Sequence, residues 1–68
     1  MRYYDVHVEL PKNGYSIGLK TENEKELTDQ EIIDICIKEH RFEEDGDYLH
    51  VDTIEEISKE LFYEWFGF

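Results

Sequence analysis

Basic residues, cysteine, proline and long apolar runs are all scarce in this chain, and each shortage narrows what it can do. Seven Lys and Arg face eighteen Asp and Glu across 68 residues, a formal net charge of −11. Phosphate backbones and anionic membranes are bound by cations that neutralise them, so we expect no direct nucleic-acid contact and no membrane contact. The same charge favours a protein partner with a basic surface. The lone cysteine, Cys36, cannot close an intrachain disulfide, which fits a reducing, cytoplasmic setting. No stretch approaches the roughly 20 apolar residues that span a bilayer. Met1-Arg2-Tyr3-Tyr4-Asp5 runs straight into an alternating pattern and lacks the apolar segment of a signal peptide.

Catalytic and metal-binding motifs are the next shortage. Cys36 and His40 lie four apart, the spacing of one helix face, but a closed zinc site takes four ligands. His7 and His50 remain besides carboxylates, and the pattern places both on strands. Cys36 stands among Ile32, Ile33 and Ile37, where desolvation raises a thiol's pKa and leaves it inert. Ser16 and Ser58 sit in no nucleophile motif. We therefore expect no metal ligands, no cofactor and no catalytic residues, in a protein that is not an enzyme.

What is present suffices for a core. Hydrophobic residues make up 40% and aromatics 15%, the composition of a folded chain, and residues 1–68 read as a single acidic domain. Tyr4, Val6, Val8 and Leu10 alternate with Tyr3, Asp5, His7 and Glu9, the signature of a half-buried strand. Pro11-Lys12-Asn13-Gly14 supplies turn chemistry, and Tyr15, Ile17 and Leu19 continue the alternation into an antiparallel hairpin. Thr28 and Glu31 form a capping box with Leu27 and Ile32 at staple positions, which predicts a helix running to about His40. Asp45-Gly46 reads as a hairpin turn that sets Phe42 opposite Leu49, with residues 41–43 as an irregular first arm and a strand over 48–52. Thr53 and Glu56 repeat the capping-box spacing. That spacing predicts a closing helix from Ile54 to about Phe66, with Ile54, Ile57, Leu61 and Trp65 as its buried stripe. The order ββα(β)βα predicts an α+β two-layer sandwich: an antiparallel sheet of three or four strands with both helices on one face.

Two surface features remain. Glu22, Glu24 and Glu26 precede the first helix, and Glu43, Glu44, Asp45 and Asp47 follow it. They are expected as separate acidic patches at its two ends, where carboxylates can imitate phosphates in a partner's basic groove. The C-terminal run holds more aromatics than a small core needs, and Tyr63, Phe66 and Phe68 lie off the stripe. Exposed aromatics are enriched at interfaces, which makes these three candidate contact residues.

The opening pattern Tyr3-Tyr4-x-Val6-x-Val8-x-Leu10, then Gly14-Tyr15-x-Ile17 and an acidic connector into a helix, resembles that of HicB-type antitoxin domains and of the DpnD/PcfM-like family from mobile elements. The resemblance ends before the aromatic closing segment. It carries over no residue roles, and it implies an accessory protein of phage or mobile-element origin. The combined expectation is an acidic interaction protein that binds a basic protein surface, in its sharpest form as inhibitor of a nucleic-acid-binding enzyme. The alternative is a self-associating module, a homodimer through its aromatic C-terminal helix.

Overall fold

The opening alternation forms a hairpin. In a computed structural model that describes residues 1–67, β1 (Arg2–Glu9) pairs antiparallel with β2 (Gly14–Thr21). Tyr4 stands opposite Leu19 and Val6 opposite Ile17. The Leu10 N–H donates to the Asn13 carbonyl at 3.1 Å to close the turn.

Helix α1 (Asp29–Lys38) starts where its capping box places it. Thr28 Oγ1 accepts from the Glu31 N–H at 3.2 Å, and the Glu31 carboxylate accepts from the Thr28 N–H at 3.0 Å. The Thr28 N–H, then its hydroxyl, hold the Glu31 carboxyl below its ordinary value. The helix lays Ile32 and Cys36, with Leu27 before it, onto Tyr4, Val6, Val8, Ile17 and Leu19. That is the main core. Tyr4 adds a polar clasp within it, its hydroxyl accepting the buried Leu27 N–H at 3.1 Å. Tyr4→Phe orphans that donor and is expected to cost about 1–3 kcal/mol. A lower urea midpoint at unchanged m-value would register the loss.

The second half departs from its pattern. Residues expected to begin a helix at Ile54 form instead β3 (Val51–Ile57). This strand pairs antiparallel with the other edge of β1, giving the order β2-β1-β3. Val51, Ile54 and Ile57 recur every third residue, as on a helix, yet in the strand the first interval spans a bulge and the second changes face. Register shifts between His7, opposite Thr53, and Val8, opposite Val51, so Asp52 is the extra residue. Val51 and Ile54 thereby share the core face, while Ile57 falls beside Tyr3 on the other face. Thr53 cannot cap a helix because it pairs with His7 in the sheet.

The expected strand at 48–52 begins instead as a 3-10 turn, Asp47–His50, preceded by Gly46 at φ 92. Asp45-Gly46 therefore closes no hairpin. Leu49 is 73% exposed and Phe42 half-buried, so the two do not face each other across strands.

Helix α2 (Lys59–Phe66) follows a different cap, Ser58, whose hydroxyl accepts from the Leu61 N–H at 3.1 Å. Gly67 ends it in the left-handed region, φ 69. The expected stripe is rotated: Phe62 is 2% exposed, Leu61 36% and Trp65 53%. Phe62 stacks on Tyr3 with ring centroids 5.0 Å apart, and Tyr63 meets the same ring at 6.1 Å. Phe66 lies against Gly18, where an added Cβ would come within 2.5 Å of the ring.

The α+β class and the antiparallel sheet are as the sequence predicts, and residues 41–43, the bracketed strand, form a loop. The helix placement is not. Tyr3 and Tyr4 are neighbours on one strand, so their side chains point to opposite faces. With Tyr4 under α1 and Tyr3 under α2, the helices cover opposite faces of the sheet. No helix among the described residues is long and apolar enough to cross a membrane.

Candidate functional site

The end of α1 builds a groove. His40 takes φ 54, its N–H donating to the Ile37 carbonyl at 3.1 Å while the Arg41 N–H donates to the Cys36 carbonyl at 2.9 Å. This paired closure is the Schellman motif, which usually places glycine at the His40 position. A side chain with a Cβ costs about 1–2 kcal/mol in that conformation. Arg41 then reaches the free edge of β2, Nη2 donating to the Gly18 carbonyl.

The next loop is pinned to the hairpin by one carboxylate. Tyr15 Oη donates to Asp47 Oδ2 at 2.7 Å and accepts from the Glu43 N–H at 3.1 Å. Asp47 Oδ2 also accepts from the Glu44 N–H at 3.2 Å. Burial raises the Tyr15 phenol above its ordinary pKa, with Asp47 adding and the Glu43 N–H opposing. Between this loop and the last turn of α1 runs an open groove of about 350 Å³. Its lining joins apolar Cys36, Ile37, Phe42 and Tyr48 to polar His40, Glu44 and Asp45.

Cys36 and His40 both line this groove, but the chemistry is not that of a thiolate. Burial pushes the Cys36 thiol up to about 11, against a smaller pull from Arg41. A neutral thiol at physiological pH is part of an apolar wall, neither nucleophile nor good ligand.

The candidate contact residues separate. Glu44 and Asp45 line the groove, with exposed Glu43 beside them in sequence. Asp47 is buried and structural rather than a contact residue. Glu22, Glu24 and Glu26 are exposed but belong to the loop before α1, and ten residues of helix, about 15 Å, stand between the two clusters. Tyr63 and Phe66 are half-buried against the sheet. Phe68 lies outside the described residues. Leu61 and Trp65, assigned to the core by spacing, are the apolar side chains that α2 turns outward.

Ile37, Phe42 and Tyr48 were not singled out as site residues. Their signal was nevertheless present: two aromatics flanking an acidic turn directly after a helix end. Comparison with protein-family models, with curated proteins and with solved structures finds no match, so the functional reading rests on this chain's own geometry.

Proposed function

We propose that this chain is a cytoplasmic interaction or accessory protein that binds a basic protein partner rather than performing catalysis. The observation that carries the reading is the groove, in which Ile37, Phe42 and Tyr48 meet Glu44 and Asp45. An apolar lining desolvates an anchor side chain, and carboxylates beside it select a segment rich in Lys or Arg. The net charge of −11 adds long-range attraction for such a partner. His40 supports the reading from another direction, because a strained backbone position is often kept for what its side chain does. A nucleic-acid-binding enzyme of phage or mobile-element context fits the partner chemistry, and the acidic protein would then act as its inhibitor.

The test is a titration with a Lys/Arg-rich peptide bearing one Leu or Phe, followed by amide chemical shifts. Shifts should centre on residues 37–48. Raising salt from about 0.1 M to about 1 M shrinks the screening length from ~10 Å to ~3 Å, and binding should weaken many-fold. Salt-indifferent binding, or shifts centred elsewhere, overturns the proposal. His40→Gly separates the roles: relief at the left-handed position is expected to stabilise the fold by about 1 kcal/mol while weakening the peptide.

A second reading, self-association, is supported by Leu61 and Trp65, exposed four apart on α2. It moves the contact away from Tyr63 and Phe66. Light scattering showing a monomer at high micromolar concentration would dismiss it.

A further inference from the structure

The α2 face of the sheet is covered at one end only. Eight residues of α2 rise about 12 Å, whereas the eight residues of β1 extend about 26 Å. Tyr3 and Gly18 lie beneath the helix. Further along the same face, His7 and Glu9 keep side-chain exposures of 35% and 65%. They are two apart on one strand, so they point the same way, and His7 Nε2 sits 2.8 Å from Glu9 Oε2.

The bulge brings a third group. Regular pairing would set Asp52 opposite Val8, on the core face, where a carboxylate is costly. Because Val51 takes that place, Asp52 is diverted, and one of its oxygens lies within 4.8 Å of both the His7 and the Glu9 ligand atoms. On the flanking strand Ser16, the register partner of His7, places its hydroxyl 3.3 Å from His7 Nδ1. One ring nitrogen thus meets a hydroxyl while the other meets the Glu9 carboxylate, with an Asp52 oxygen within 4.8 Å of the pair.

We propose that His7, Glu9 and Asp52 form a binding site for a divalent first-row transition-metal ion such as zinc. One imidazole and two carboxylates make a mixed nitrogen–oxygen donor set; imidazole favours zinc, cobalt or nickel over magnesium or calcium. Metal–ligand bonds of about 2.0–2.2 Å in tetrahedral geometry require ligand atoms about 3.3–3.6 Å apart; His7 and Glu9 stand at 2.8 Å and Asp52 within 4.8 Å of both. The adjustment falls on Glu9 and Asp52, both exposed, and so leaves the core undisturbed. Ser16 acts as the outer partner that fixes which imidazole nitrogen is available. With three protein ligands the remaining positions stay open to water or to a donor from a partner. This site is independent of the groove at the end of α1.

Isothermal titration of the full chain with ZnCl₂ tests the assignment, together with amide spectra recorded with paramagnetic Co²⁺. One equivalent should bind. Co²⁺ should broaden the amides of residues 7–9 and 52 first. Asp52→Asn and His7→Gln should each weaken zinc about tenfold or more, since even outer-partner losses cost 10–100-fold, while His50→Gln, at an exposed position outside both sites, leaves it unchanged. Thermal melts confirm that each variant folds, and the Co²⁺ experiment on the unaltered chain needs no variant. Broadening centred on Cys36 and His40 or on the acidic loops, no saturation below millimolar metal, or unchanged affinity in Asp52→Asn would overturn the site.

Discussion

Phe62→Ala is expected to destabilise the fold by about 3–5 kcal/mol, a large share of what so short a chain can hold. Native domains are stable by only about 5–15 kcal/mol, and small ones bury the least surface. Phe62 is 2% exposed and meets Tyr3, Tyr63 and Phe66 at centroid distances of 5.0, 5.3 and 5.4 Å. Its removal leaves a cavity at the centre of the α2 face, bordered by rings that cannot collapse without moving the helix. The informative control is Trp65→Ala. Spacing alone makes Trp65 a core residue whose loss would cost as much, but at 53% exposure its truncation should cost under about 1 kcal/mol. Urea denaturation followed by circular dichroism distinguishes the two outcomes. Equal losses in both variants would mean that α2 packs by a different face.

Gly18→Ala should cost about 1–3 kcal/mol, although alanine is ordinarily at least as good as glycine in a strand. The reason is local. A Cβ at Gly18 would lie 2.5 Å from Phe66 Cγ and 2.6 Å from Cδ2. These atoms sit near the root of the ring, so a ring flip about χ2 cannot clear them, and either Phe66 leaves its χ1 rotamer or the last turn of α2 lifts. The same residue's carbonyl accepts the Arg41 guanidinium at 2.6 Å, so a displaced strand also loosens its covered edge. Hydrogen exchange should accelerate across the C-terminal half of α2, with the α1 amides much less affected. A stabilising Gly18→Ala would show that Phe66 does not rest there.

The hairpin and α1 were legible because their signals are local. Residues 3–10 and 15–19 alternate on either side of a turn, Thr28 and Glu31 satisfy each other's backbone, and nothing distant has to agree. The end of α1 near His40 was read within a residue or two, but not its left-handed turn, which normally announces itself through glycine. Sequence placed Glu44 and Asp45 among the candidate contacts, and both reach the groove, whereas it read Cys36 as core and set its pairing with His40 aside. It did not show that Asp47 turns inward, because burial of that carboxylate depends on Tyr15, 32 residues away.

By itself, then, the sequence determined the class of fold, the hairpin, the start of α1 and the charge that any partner must meet. Tertiary structure decided the rest. Val51 and Ile54 have helical spacing, and a strand could keep both on the core face only by inserting Asp52 as a bulge against β1. Once β1 had neighbours on both edges, Tyr3 needed cover on the face that α1 does not reach, and Phe62 supplies it. That requirement turned Leu61 and Trp65 outward. Local periodicity reports which residues can share a face; which face is buried depends on the surface that meets it.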